Sequence, residues 1–353
     1  AGRALLASAA LCNRPVRALP ADTGAGHLDE TARIDPWAWV LHHVPVGPDG
    51  RRFWHEFGAS VARPLIGATC FESDSLPASW VQACREVEAV WVPGEFNLRT
   101  FADAGVDPAR LRIVPYPVDT DLLCPAPARA RSGPFTFLSV FEWTWRKGWD
   151  ALLTAYCTEF AAGEDVRLRI LTYRGSGTHG ALDIPAVASQ HIASLGLDPD
   201  AVADIELLLA PVDDAGLVEL YRDADAFVLA TRGEGAGMPV VEAMACGTPV
   251  VATAFGGHAD LMTPDLAYPV EVERMVPASP ELIRDNALYI GQRLADPSVD
   301  SLRAQMRAVV DDPDGAAARA AAARRAVVDT RSIAAAARAL DAAIGEIVDE
   351  VHP

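Results

Sequence analysis

Between Asp223 and Thr253 the chain reads DADAFVLATRGEGAGMPVVEAMACGTPVVAT, and this stretch constrains the fold more than any other. An apolar run from Ala226 to Ala230 leads into a loop carrying Gly233, Gly235 and Gly237. A helix opens at Pro239, and a tight turn gives a second apolar run from Pro249 to Thr253. Two short apolar runs joined by a helix are parallel strands, because a parallel pair needs a crossover between its members. A parallel sheet must be covered on both faces, so further strand-helix units are required.

The rest of the sequence supplies them. Upstream, strands are expected at Ala38 to His43, Pro64 to Phe71, Ala89 to Val92 and Leu111 to Tyr116, with helices near Pro77 to Glu86 and Asn97 to Ala104. From Asp119 to Pro134 the pattern dissolves into Pro, Ala and Arg, the composition of a linker. Beyond it, strands are expected at Phe135 to Val140, Arg167 to Thr172 and Asp204 to Leu209, and helices at Trp149 to Phe160 and Ala215 to Ala224. A less regular stretch follows Thr253, and Ala-rich helices run from about Ala316 to Val351. The expected architecture is α/β, with two Rossmann-like domains whose parallel sheets face a central cleft. Residues 1–128 form the first domain and 129–334 the second. The opening segment AGRALLASAALC imitates a secretory signal, but Leu5, Leu6, Ala9 and Ala10 recur at helical spacing. It reads as a first amphipathic helix, with the strand before it missing.

The loop after Ala230 has the makings of a phosphate site. Its glycines let the backbone turn sharply and bring bare amides to a ligand, and Pro239 suits a first helical turn. The unpaired amides and positive end of that helix then face an anion. Glu234 and Glu242, with seven residues between them, can border the same cavity. Beside a phosphate a carboxylate is unfavourable, so its work there is to accept hydrogen bonds from sugar hydroxyls. Alone, Glu242 would read as an exposed helix residue and Glu234 as a solvated loop charge. Arg146 and Lys147, between a strand and a helix, are the candidate counter-charge for a diphosphate, or else ordinary loop cations.

A formal net charge of -18 argues against nucleic acid or an anionic membrane as the main partner. No apolar run reaches the length of a membrane span, although peripheral membrane contact stays open. The six cysteines are scattered, with no CxxC pair, so neither a zinc site nor a disulfide framework is expected. They read as reduced thiols of a cytoplasmic protein. No metal and no cofactor is expected.

The segment EGAGMPVVEAMACGTPVV, from Glu234 to Val251, resembles the signature of retaining glycosyltransferases of family 4 (glycosyl transferases group 1), which have the GT-B fold. VEAVWVPGEFNLRTFADAGVDPARLRIVPYPVDTDLL, from Val87 to Leu123, is similar to the end of that family's N-terminal domain. The resemblance implies transfer of a sugar, with retention, from a nucleoside-diphosphate donor to a carbohydrate or other hydroxyl-bearing acceptor. It implies that Glu242 binds the donor ribose and that Glu234 lies at the transferred sugar. Gly235, Ala236, Gly237, Met238 and Val241 then complete the donor site with Arg146 and Lys147, and the last helix, about 335–353, packs back on the N-terminal, acceptor-side domain.

The diphosphate clamp departs from the family's commonest form. Counting back from Lys147, its Arg position holds Glu142 and its Gly position Phe141; Glu142 with the adjacent Arg146 and Lys147 resembles a variant branch. Just past a strand, Glu72 is a second catalytic candidate and Asp74 a weaker one, with a helix cap ahead of Pro77 as the alternative for Asp74 or Ser75. His42 and His43 point to opposite strand faces and cannot chelate one metal together; His258 and Asp260 lie closer to the signature. The rival functions are a noncatalytic sugar-nucleotide-binding protein and a sugar-nucleotide epimerase on the same fold.

Overall fold

The computed structural model describes residues 16–21, 29–34, 38–42, 45–59, 65–126, 133–173, 182–198 and 201–351. The expected first helix, His43 and part of the linker lie outside them. No helix among the described residues is long and apolar enough to cross a membrane.

Among the described residues, two six-stranded sheets organise the chain. The first runs in sequence order through β1 (Val16–Ala21), β2 (Asp29–Ile34), β3 (Ala38–His42), β4 (Leu65–Ala68), β5 (Ala89–Val92) and β6 (Leu111–Ile113). Strands β3 to β6 are parallel, as the sequence leads one to expect. β1 and β2 are not foreseen: they add an antiparallel edge, β1 on β2 and β2 on β3. VRALPA and DETARI carry a proline and several charges, a composition tolerated at a sheet edge that leaves little apolar period to read.

The second sheet is parallel throughout. It consists of β7 (Phe135–Glu142), β8 (Val166–Tyr173), β9 (Asp204–Leu208), β10 (Ala226–Leu229), β11 (Val250–Thr253) and β12 (Tyr268–Val270), in the order β12-β11-β10-β7-β8-β9. The order reverses between β7 and β10, and ligands of open α/β sheets bind outside the strand ends at such a switch point. Phe137, Leu138, Phe227, Val228 and Val251 are fully buried in this sheet, covered by helices that include α4 (Trp149–Glu159), α6 (Asp214–Asp223) and α7 (Met238–Ala245). Among the described residues of the first half the helices are α1 (Phe53–Gly58), α2 (Ala78–Cys84) and α3 (Glu95–Asp103); α5 (Ile184–Ser194) lies between β8 and β9.

The stretch after β11 is more ordered than its sequence suggests. β12 is followed by β13 (Val272–Pro277), α8 (Pro280–Asp285), β14 (Arg293–Pro297) and α9 (Val299–Asp311), with β13 and β14 antiparallel. Ala278, Leu282, Tyr289 and Leu294 from this stretch join the core of the first half, with Phe71, Trp80 and Leu65. The stretch is therefore a strap between the halves.

The Ala-rich tail is two helices, α10 (Pro313–Arg331) and α11 (Ile333–Val351), broken at Ser332. At the break, Val118 N donates to Arg331 O at 2.8 Å, so two crossings of the chain between the halves lie side by side. Leu340, Ala343, Ile344 and Ile347 of α11 pack on Val40, Ile66, Ala89, Trp91 and Val114 of the first sheet.

Candidate active site

Where β7 ends, the chain makes a single tight helical turn at Trp145–Lys147, and Gly148 then starts α4 in the left-handed region at φ 68°. A side chain there is excluded twice, since a Cβ on Gly148 would stand 1.7 Å from Ala230 O. This close approach seats the β7–α4 turn directly on the end of β10.

Arg232 fixes the turn from beneath. Its guanidinium grips Asp150 through two bonds of 2.7 and 2.9 Å, reaches Asp296 at 3.1 Å, donates to Trp145 O at 2.8 Å and lies 4.3 Å over the Trp145 ring. Its amide donates to Arg146 O at 2.7 Å. Forked geometry of this kind is particular to arginine. Arg232 precedes the glycine loop, yet no sequence signal marks it, because its partners stand 82 and 64 residues away.

Arg146 and Lys147 then face the loop that follows β10. Arg146 Nη1 donates to Gly233 O at 2.7 Å, and Lys147 Nζ meets Glu234 Oε1 at 2.5 Å. Thr231 Oγ1 donates to the same carboxylate oxygen at 3.1 Å. Burial pulls the Lys147 ammonium below its usual range despite Glu234. For Glu234 burial acts upward, but Lys147 and Arg146 outweigh it and hold the carboxyl below its usual value. Burial would lower Arg146, yet the carboxylates of Glu72, Glu234 and Glu142 together raise it.

The glycine loop packs backbone against backbone. Gly257 N donates to Glu234 O at 2.8 Å, and a Cβ on Gly257 would stand 2.1 Å from Gly235 O. On the other side, Asn97 Nδ2 donates to Gly235 O at 2.6 Å, and Gly235 presses on Cys70 and Gly233 on the Glu72 carbonyl. Gly237, at φ 66°, starts α7, whose first turn contains Pro239 and receives no side-chain cap. Under Gly237 lies His258, fully buried, its Nε2 on Thr253 O at 3.0 Å and its Nδ1 without a partner. Burial holds its imidazole below the ordinary value.

The structure brings Arg146, Lys147, Glu234 and Glu72 together and sets Glu242 apart. Glu72 accepts from Tyr289 Oη at 3.0 Å and stands 3.9 Å from Arg146 Nη2. Glu242, on α7, accepts from Tyr221 Oη at 2.9 Å, and burial raises its carboxyl above the usual value. Ala236 and Met238 are half-buried beside Gly235 and Gly237, whereas Val241 is buried in the core, so only its backbone could serve a ligand. Asp74 and Ser75 do not cap α2; its N-cap is Pro77, without a side-chain bond. Both turn to the strap instead, Asp74 to Arg293 at 2.6 Å and Ser75 to Gln292 at 2.6 Å. Asp260 is engaged with the buried Arg331, which also donates to Pro93 O at 2.5 Å. His42 ends β3, with its side chain outside the described residues. Tyr289, Asn97, Tyr221 and Arg331 carry no signal in the sequence, because each acts through a partner far along the chain.

Residues 134–285, which hold this turn, the loop and α7, match the family model described as Glycosyl transferases group 1. The chain is 36% identical over 161 residues, 43% of its length, to a D-inositol 3-phosphate glycosyltransferase of Geodermatophilus obscurus, and spans 35% of that relative. To an MMP alpha-(1->4)-mannosyltransferase of Mycolicibacterium hassiacum it is 30% identical over 178 residues, 49% of this chain and 39% of the relative. Among solved structures, HepE of Anabaena in complex with UDP and glucose superposes with a TM-score of 0.62 at 17% identity, covering 80% of this chain and 72% of HepE. Sucrose-phosphate synthase of Thermosynechococcus elongatus gives a TM-score of 0.62 at 16% identity, covering 84% and 71%. The chain thus has the GT-B fold, and the segment carrying its candidate site is similar to glycosyl transferases of group 1.

Proposed function

We propose that the protein transfers a sugar from a nucleoside-diphosphate donor to an acceptor hydroxyl, with retention at the anomeric carbon. The observation that carries this reading is the convergence of Arg146, Lys147 and the uncapped start of α7 at the strand-order reversal, with Glu234 among them. The resemblance of residues 134–285 supplies the reaction class. In this proposal residues 129–334 hold the donor, while residues 1–128 with the last helix hold the acceptor. Glu242 binds the donor ribose, Glu234 and Glu72 border the transferred sugar, and Gly235 to Met238 offer backbone contacts.

In the chemical step the bond between the anomeric carbon and the diphosphate oxygen breaks, and a bond to the acceptor oxygen forms on the same face. The acceptor's proton passes to a leaving diphosphate oxygen. Charge gathers on the diphosphate as the old bond breaks, so Arg146, Lys147 and the α7 amides stabilise the transition state more than the bound donor. These groups are the counter-charge in a metal-independent reaction, placed in the cytoplasm where unbridged thiols persist.

The test is a thermal-shift panel of UDP, GDP, ADP and dTDP sugars, followed by NMR assignment of the anomer released from the stabilising donor. Stabilisation by one base with slow, retained hydrolysis is expected; no stabilisation by any of them would defeat the proposal. A second reading, donor binding without transfer, draws on the occupation of both cations by the protein's own groups, Gly233 O and Glu234. Tight binding of a donor that is never cleaved, with any acceptor offered, would favour it.

A further inference from the structure

The strap follows the loop after β4 almost residue by residue. Phe71 stacks on Tyr289 with ring centroids 5.6 Å apart, Glu72 accepts from Tyr289 Oη, Ser73 and Ser75 both donate to Gln292 Oε1, and Asp74 pairs with Arg293. Tyr289 is itself buried and braced by the backbone, its amide donating to Asn286 O and its carbonyl accepting from Gln292 N, both at 3.1 Å. Its hydroxyl is thus delivered to one oxygen of Glu72 from a rigid support. The other oxygen stays 3.9 Å from Arg146 Nη2, beyond hydrogen-bond reach, while Arg146 Nη1 is held by Gly233 O at 2.7 Å.

We propose that Tyr289 is a positioning residue: by holding the Glu72 carboxylate back from Arg146, it keeps the Nη2 side of that guanidinium available to the donor's diphosphate. This inference rests on the donor reading above. Arginine and carboxylate close readily into a forked pair, and such a pair would compete with the phosphates for the same donors. Burial and the neighbouring Glu72 raise the Tyr289 hydroxyl well above its ordinary range, so it remains a neutral donor throughout the working range. Without that hydroxyl, Glu72 turns onto Arg146 and cancels its charge.

The experiment is calorimetric titration of the full chain with whichever of UDP, GDP, ADP and dTDP the wild type binds, using Tyr289→Phe, Glu72→Gln and the double variant. Tyr289→Phe is expected to weaken binding about tenfold, the scale of a single charge-assisted hydrogen bond to the phosphates. Because these nucleotides lack the sugar that Glu72 is proposed to border, Glu72→Gln should bind them at least as well as wild type, and the double variant should match Glu72→Gln, since no carboxylate remains to collapse. Unchanged affinity in Tyr289→Phe, or a weakening that persists in the double variant, would show that Tyr289 serves packing alone and would overturn the proposal. If Tyr289→Phe does not fold, Glu72→Gln decides, because a loss of affinity there contradicts competition between Glu72 and the phosphates. A wild type that binds none of the four nucleotides removes the donor reading itself, and this inference with it.

Discussion

Removing either partner of the Lys147–Glu234 pair should destabilise the fold far more than removing both. The two side chains meet at 2.5 Å with relative exposures of 11% and 7%, so neither charge can recover its hydration when the other is deleted. Breaking a buried pair costs about 3–5 kcal/mol, whereas replacing both partners with neutral groups of similar volume is close to neutral. Lys147→Met leaves Glu234 with the Thr231 hydroxyl at 3.1 Å and Arg146 nearby, which places the expected loss at the low end, about 3 kcal/mol. Glu234→Gln strands an ammonium that burial already holds low, and it can shed its proton, so about 2 kcal/mol is expected. The double variant should lose only about 0.5 kcal/mol, which leaves a coupling of about 4.5 kcal/mol. Urea melts of the four proteins at pH 7.5, compared at a common slope, measure this cycle. Single losses that add to within about 0.5 kcal/mol in the double variant would show that the charges are independent, and the electrostatic account of the site would be wrong.

Gly148→Ala should cost more than the about 1–2 kcal/mol of a left-handed backbone, because its Cβ also meets Ala230 O; a urea midpoint equal to that of wild type would contradict the geometry. For Glu242→Gln, loss of the proposed charge-assisted bond to the ribose should weaken the donor by about 10–100-fold in KM with a smaller change in kcat, and an unaltered KM removes Glu242 from ribose binding. His258 should make the fold acid-sensitive. Its imidazole is held below the ordinary value of 6.5, so above that pH neither state is charged, while below it the unfolded chain gains a proton that the fold refuses. Stability then falls by about 1.4 kcal/mol per pH unit until the folded-state value is reached. Urea melts at pH 5 and 7.5 should show a smaller loss for His258→Gln than for wild type, and equal losses would absolve His258.

Legibility from the sequence followed the range of the interactions. Ala226 to Thr253 could be read in order because an apolar run, a glycine loop and a proline at a helix start are local signals, and the strand, loop, helix and strand stand there in the structure. β7 and α4 were legible for the same reason, from FTFLSVFE and the apolar face that follows Trp149. β1 and β2 escaped because an edge hairpin needs no continuous apolar period. The strap escaped because its apolar residues, Ala278, Leu282, Tyr289 and Leu294, are spaced for the first half's core rather than for a helix or strand of their own. At the site, the chemical groups Arg146, Lys147, Glu234, Glu242 and Glu72 could be named from motif and position, but their pairing could not. That Glu242 lies with Tyr221 while Glu72 lies with Tyr289 is a matter of hydrogen bonds between residues 21 and 217 positions apart.

The strap also governs how the protein can be cut. A fragment beginning near Gly133 would retain every strand of the second sheet, yet Leu282, Tyr289 and Leu294 would be stripped of the neighbours that cover them, among them Phe71 and Trp80. Freed from their seat, these residues form a greasy underside next to the exposed Ile290, the kind of surface that drives self-association. Isolating the second half as an independent unit therefore calls for trimming or resurfacing 278–294 and not only for a break at the linker.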